Sequence, residues 1–383
     1  MFDSLIRFVR EQFSTEEFIP LHAPVFLGNE KKYVVDTIDS TFVSSVGSFV
    51  EKFEQEVACY TGSPRAVATV NGTAALHAAL LVAGVKPGDL VITQPLTFVA
   101  TCNAITYCGA EPVFIDVDRS TMGLSPTAVA CWLAENAYLD DGRVCRTKDS
   151  QQIIRACLPM HTFGHPIALD EMVAVCDAWN LVLIEDAAES LGSLYKGRHT
   201  GTIGHIGALS FNGNKIITTG GGGMVLADDV TGNRLKHLTT TAKKPHAYEF
   251  VHDEIGYNYR LPNINAALGC AQLEQLEKFI SAKRELAARY AQYFKNTDMM
   301  FFSEPADCRS NYWLNAVICE NEVQRQKLLD VTNKNNIMTR PIWCLMSNLP
   351  LFSKCRRGGL ENAQWLESRV VNLPSSVLPE LLP

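Results

Sequence analysis

Apolar residues stand at helical spacing at the start of the chain, where Phe2, Leu5, Ile6, Val9 and Phe13 are interleaved with Asp3, Arg7, Arg10 and Glu11. This predicts an amphipathic helix, unlike a signal peptide, that docks on the protein's own body or on a partner subunit. From about Arg65 the pattern becomes an alternation of short β-rich runs and longer helical stretches, the signature of a parallel sheet covered on both faces. Strands are expected at Val67 to Val70, Leu90 to Thr93, Val113 to Asp116, Ile154 to Pro159, Val182 to Glu185, Ala208 to Phe211 and Met224 to Ala227. Between them, helices are expected from Asn71-Gly72-Thr73 through Ala83, over Thr101 to Tyr107, and from Ser125-Pro126 to Asn136. Gly84 and Pro87 stop the first, and Pro126 suits the first turn of the third.

After about Leu261 the character changes. Asn265 to Gln292 reads as one long connecting helix, followed by strands at Tyr312 to Val317 and Ile337 to Ile342 around a polar helix from Glu322 to Asn333. The expected organisation is an N-terminal helix and arm (residues 1–20), a large α/β domain (21–262), and the connecting helix with a small α+β domain (263–383). No internal repeat is visible.

With 383 residues, 47% hydrophobic and 20% charged, the chain has the composition and length of a globular protein with a sizeable core. Its formal charge of −7 gives no basic field for a nucleic-acid polymer. The most apolar stretch, Thr73 to Val85, carries His77 and is too short to span a bilayer. A cytoplasmic location without membrane contact is expected. The twelve cysteines are scattered, never as C-x-x-C, so buried reduced thiols are expected and no metal site.

Three segments place polar residues at the C-terminal ends of expected strands, where open α/β sheets bind ligands. In Asn71-Gly72-Thr73 a strand gives way to a helix whose free N–H groups suit a phosphate, or the segment is simply a helix N-cap. In Glu185-Asp186-Ala187-Ala188-Glu189, Asp186 stands at a strand end beside small residues. It is placed either to hold a protonated ring nitrogen or to cap the next helix. In Ser210-Phe211-Asn212-Gly213-Asn214-Lys215 a lysine follows a strand end; most lysines are solvated charges, but one desolvated beside a cofactor can form a Schiff base. Gly213-Asn214-Lys215-Ile216 lacks the ending of a P-loop, and Gly201, Gly204 and Gly207 lack the dinucleotide spacing.

These segments, together with Pro95-Leu96-Thr97-Phe98-Val99-Ala100-Thr101, Gly109-Ala110-Glu111-Pro112-Val113 and Gly256-Tyr257-Asn258-Tyr259-Arg260, resemble the DegT/DnrJ/EryC1/StrS family of sugar aminotransferases nearly end to end. The resemblance implies the fold-type-I architecture of pyridoxal phosphate enzymes, a large domain with a seven-stranded mostly parallel sheet between helices plus a smaller α+β domain. It implies that Lys215 carries the cofactor as a Schiff base and moves protons, and that Asp186 holds the pyridinium nitrogen, keeping the ring an electron sink. Phe98 matches the aromatic residue stacked on the ring, Gly72, Thr73 and Ser210 match the phosphate contacts, and Glu189 matches the position near the ring hydroxyl. Each has a plainer alternative: Phe98 as core, Ser210 as a strand-end hydroxyl and Glu189 as a helix-surface charge. Many relatives carry Gln or His where Glu189 stands.

Asn258 would reach the phosphate bound by the second subunit of a homodimer. His161, His165, Lys243, Lys244 and Trp343 fall in segments that border the sugar-nucleotide pocket. Within the family, Gly28 to Tyr33, Asp39 to Gly47, Ser210 to Lys215 and Ser310 to Asn315 look like the LegC-type group. That likeness implies transfer of an amine from glutamate, leaving 2-oxoglutarate, through pyridoxamine phosphate to C4 of UDP-4-keto-6-deoxy-N-acetylglucosamine, for legionaminic acid or bacillosamine-like sugars. Alternatives are a dTDP- or GDP-linked ketosugar, a sugar dehydratase, which in this family has histidine at the Lys215 position, and a non-catalytic regulator.

Overall fold

The computed structural model describes residues 2–382. Seven strands build the main sheet: β1 (Arg65–Thr69), β2 (Leu90–Thr93), β3 (Glu111–Phe114), β4 (Ile154–Leu158), β5 (Val182–Asp186), β6 (Ile206–Ser210) and β7 (Gly223–Ala227). Their spatial order is β1-β7-β6-β5-β4-β2-β3. Only β7 runs antiparallel to its neighbours, so the expected mostly parallel sheet of seven strands is present, with ends within two residues of those read from sequence.

Alternation along each strand feeds two opposite faces. Val91, Leu158, Ile184 and Val225 pack on one side with Leu76 and Leu80, while Leu90, Ile92, Cys157 and Leu183 pack on the other with Leu133 and Met172. Burial on both faces explains the continuous apolar runs. Helix Gly72–Val82 starts where the Asn71 side chain accepts the Ala74 N–H at 2.8 Å, and Gly84, at φ 81°, follows its end. Helix Pro126–Asn136 starts in the same way at Ser125, which accepts the Ala128 N–H. These starts and stops hold the C-terminal ends of β1, β5 and β6 open on one edge of the sheet.

A second, antiparallel sheet holds Met300–Phe301, Asn315–Ile318, Val370–Leu373 and Arg340–Pro341 in that order. The amphipathic helix Phe2–Phe13 docks on the chain's own body, with Leu5 and Val9 buried among Leu286, Tyr290, Phe294 and Leu328. No helix among the described residues is long and apolar enough to cross a membrane. All twelve cysteines are unpaired; most are buried, though Cys59, Cys131 and Cys344 are exposed.

Three expectations need correction. The long helix is broken at Glu274–Gln275 into Asn263–Leu273 and Leu276–Phe294. Tertiary bonds hold the junction: Gln272 Nε2 donates to the Val25 carbonyl and Glu30, and Glu274 accepts from Asn29 and Tyr33. The strand read from Tyr312 begins only at Asn315, because Tyr312 takes a left-handed φ of 47° and turns the chain. The strand read from Ile337 to Ile342 pairs in the sheet only at Arg340–Pro341, on an edge that tolerates proline, while Ile337 pairs with Ile19.

Candidate active site

The open edge of the sheet forms a cavity of about 330 Å³. Its lining includes Gly72 and Thr73 after β1, Asp186 and Glu189 from the end of β5, Ser210 from β6 and Lys215 beyond it, together with Phe98. Seven of the eight site residues expected from sequence are thereby brought together.

Asp186 is buried, its Oδ2 accepting the Thr101 hydroxyl at 2.7 Å and its Oδ1 the Ala188 N–H at 3.2 Å. Burial raises its pKa above the ordinary carboxylate value, against the pull of those two bonds and the Lys215 charge. Such a carboxyl is under-compensated, and a cationic N–H would satisfy it. Behind it, the His161 N–H donates to the Asp186 carbonyl at 3.1 Å and His161 Nε2 bonds Glu185 at 2.9 Å. Burial pushes Glu185 up, but the His161 bond and the N–H groups of Gly201 and Gly204 outweigh it and hold this carboxyl below the usual range. His161 is thus a fully buried support under Asp186. His165 is buried edge-on against Phe302 and Tyr312, its pKa pushed down to about 3 by burial.

At the phosphate end, a Cβ on Gly72 would stand 2.8 Å from Ser210 Cβ and 3.0 Å from its hydroxyl. Only glycine lets the helix start approach β6 so closely, leaving the first N–H groups of the helix and the Ser210 hydroxyl on one cradle. Phe98 is 50% exposed, which removes the core reading and leaves its ring free to cover a planar ligand.

Lys215 follows a turn closed by its own N–H to the Asn212 carbonyl at 3.0 Å. Its Nζ lies 3.4 Å from Glu189 Oε1 and 4.0 Å from the centroid of the Trp313 ring. Glu189 is 3% exposed, so it is no surface charge; burial pushes its pKa up to about 7, against the pull of Lys215 and the Phe163 N–H that its Oε2 accepts at 2.9 Å. A buried carboxylate for a ring nitrogen, a bare-glycine cradle for an anion, a half-exposed aromatic and a nearly buried amine together fit pyridoxal phosphate.

Asn258 lies outside the cavity, exposed, its Oδ1 accepting from Arg260 Nε at 3.0 Å. Of the residues expected to border the sugar-nucleotide pocket, Trp343 lines the cavity, whereas His161, His165, Lys243 and Lys244 do not. Sequence reasoning missed the roles of Thr101 and Trp313. Thr101 had a signal, being one turn from Phe98 in a segment already singled out; Trp313 was masked by the strand expected there.

Residues 27–380 match the DegT/DnrJ/EryC1/StrS aminotransferase family. A GDP-perosamine synthase of Escherichia coli O157:H7 is 38% identical over 362 residues, 94% of this chain and 93% of that one. A GDP-perosamine synthase of Vibrio cholerae is 34% identical, covering 93% and 94%. The crystal structure of the aminotransferase TlmJ from Streptoalloteichus hindustanus superimposes with a TM-score of 0.84 at 25% identity, over 94% of this chain and 93% of that one. The chain belongs to the DegT/DnrJ/EryC1/StrS aminotransferase family and is a pyridoxal-phosphate-dependent nucleotide-sugar aminotransferase of the fold-type-I class.

Proposed function

We propose that this enzyme moves the amino group of glutamate to C4 of a nucleoside-diphosphate-linked 4-keto-6-deoxy sugar in the cytoplasm, for surface-glycan synthesis. The observation that carries this reading is the meeting of Lys215, Asp186, Ser210 and Gly72 in one cavity at the strand ends. The names of the relatives, three of them GDP-perosamine synthases at 38%, 34% and 33% identity, support a GDP-linked substrate. The UDP-linked N-acetylglucosamine derivative is the second reading, favoured by the LegC-like segments around Gly28, Asp39 and Ser310.

Bound pyridoxal phosphate supplies a carbonyl that exchanges amines and a ring that draws electrons from the reacting carbon. Asp186 would accept the proton-bearing ring nitrogen, and Gly72, Thr73 and Ser210 would hold the phosphate. Phe98 would cover the ring, and Glu189 would stand at the ring hydroxyl. The Lys215 amine takes the proton from Cα of glutamate in one half-reaction and returns a proton to sugar C4 in the other. With lysine at this position, amine transfer is favoured over dehydration.

Asn258 would act across a dimer interface. Supporting a second copy, Phe42, Val46, Tyr248, Phe250 and Ile255 are strongly exposed apolar side chains.

The test is to incubate the purified protein with glutamate and GDP-, UDP- or dTDP-linked 4-keto-6-deoxy sugars, beside Lys215→Ala. An amino sugar formed by wild type alone is expected, with GDP best. Turnover by Lys215→Ala would remove the proposed mechanism; preference for the UDP compound would overturn only the nucleotide assignment. A deoxy product without nitrogen would establish the dehydratase instead.

A further inference from the structure

We infer that Trp313 is a positioning residue for Lys215, holding its amine against the indole face and its turn by the indole N–H. The inference rests on the reading of Lys215 as the proton-moving amine. Two contacts converge: Lys215 Nζ stands 4.0 Å from the ring centroid, and Trp313 Nε1 donates to the Asn214 carbonyl at 2.7 Å, one residue before the lysine.

The segment that delivers Trp313 is itself built for this placement. Tyr312 is left-handed at φ 47°, which turns Trp313 toward the cavity. The Trp313 N–H donates to Asn311 Oδ1 at 2.8 Å, and Asn311 Nδ2 donates to the carbonyls of Glu189 and Leu191, each at 2.9 Å. Ser310 Oγ donates to the Gly164 carbonyl at 2.9 Å, and the Asn311 N–H to Ser193 Oγ at 3.0 Å. The segment is thus tied to the loop after β5 that carries Glu189, so the two groups flanking the amine are fixed in one network. Trp343 lines the same cavity but packs on Phe163, with ring centroids 5.0 Å apart.

A lysine side chain has four flexible carbons, and a cavity of this size gives its amine room to wander. Proton transfer requires that the amine stay within reach of the reacting carbon, and small misplacements cost rate steeply. An aromatic face within about 6 Å of a cation attracts it without a competing negative charge, so it steadies the amine alongside its ion pair with Glu189. Removing the ring should therefore slow proton transfer while leaving donor binding nearly unchanged, and should disfavour the charged form of the lysine nitrogen.

The experiment compares wild type, Trp313→Phe, Trp313→Leu and Lys215→Ala, each with pyridoxal phosphate bound. Stopped-flow loss of the visible absorbance against glutamate concentration separates the maximal rate from the donor dissociation constant. Trp313→Leu is expected to lose about tenfold in maximal rate, with the donor constant unchanged within a factor of about three, and Trp313→Phe to recover most of the rate. The pH midpoint of the visible absorbance should fall by about half to one unit in Trp313→Leu and less in Trp313→Phe. In the cofactor-free protein, competitive acetylation read by peptide mass spectrometry should label Lys215 several-fold faster, relative to Lys243, in Trp313→Leu than in wild type. Wild-type rate, midpoint and labelling in Trp313→Leu would overturn the inference and leave Lys215 in its role. Equal losses in Trp313→Phe and Trp313→Leu would remove the ring face as the cause. Undiminished half-reaction in Lys215→Ala would instead sink the underlying reading.

Discussion

The Thr101 hydroxyl donates a 2.7 Å hydrogen bond to Oδ2 of Asp186 and is, among the described residues, the only side chain bonded to that buried carboxylate. Burial already lifts the Asp186 pKa, and this bond is the largest of the effects holding it down. Replacing Thr101 with Val keeps the volume and removes the donor, so the proton is held more firmly and the carboxylate is less able to grip a cationic ring nitrogen. A charge-assisted bond of this kind contributes about 1.5–3 kcal/mol, so Thr101→Val should weaken pyridoxal phosphate binding by about tenfold or more. Fluorescence titration of the cofactor-free protein reads this directly, and an unchanged affinity would remove Thr101 from the site.

Glu189 makes the cofactor-free protein sensitive to pH. Its folded-state pKa of about 7 lies above the ordinary 4.5, so between those values the folded state holds a proton that the unfolded state has lost. Its contribution to stability is complete below about pH 4.5 and is lost as pH rises toward 7, for a total of about 3 kcal/mol. Glu189→Gln has no proton to lose. The variant should gain on wild type in urea denaturation between pH 5 and pH 8, and parallel pH profiles for the two proteins would contradict the assignment.

Much of this was legible in the sequence because parallel strands buried on both faces leave continuous apolar runs, and because Asn71, Ser125 and Gly84 punctuate the helices locally. The segments ending in Asp186 and Lys215 stood out since strand termination and site chemistry coincide there. Trp313 was not legible: its side chain reaches the cavity only because Tyr312 adopts a left-handed conformation in a segment that Asn311 and Ser310 tie to distant loops. The helix break at Glu274–Gln275 has the same origin in tertiary bonds, with no glycine or proline to announce it. His161 resembled a pocket residue by position, but its ring is spent on Glu185 beneath the site.

Lys283 is a second buried amine, away from the cavity, with its Nζ donating to the Ser375 carbonyl. Burial pulls its pKa from 10.5 down to about 7. The unfolded state therefore binds a proton between pH 7 and 10.5 that the folded state does not, a penalty of order 5 kcal/mol that is fully present below pH 7 and fades as pH rises. Lys283→Met removes that penalty at the fixed loss of one hydrogen bond. The variant's stability relative to wild type should be highest near pH 7 and decline toward pH 10, and a difference that does not vary with pH would show that the amine stays charged in the fold with an ordinary pKa.

Asn258 lies outside the cavity that holds Lys215, exposed and bonded to Arg260, which places the burden of its proposed role on a second copy of the chain. Subunit mixing tests this. In an isologous dimer each site would take Lys215 from one chain and Asn258 from the other. Lys215→Ala and Asn258→Ala chains, each inactive or weak alone, would then form mixed dimers with one site carrying both lesions and one carrying neither. Random reassortment of equal amounts should restore about a quarter of wild-type aminotransfer, since half the dimers are mixed and half their sites are intact. If Asn258 served the cavity of its own chain, every site would keep one lesion and mixing would restore nothing. Activity rising after denaturation and joint refolding, and absent when the two proteins are combined without exchange, would establish that the functional site is shared between subunits.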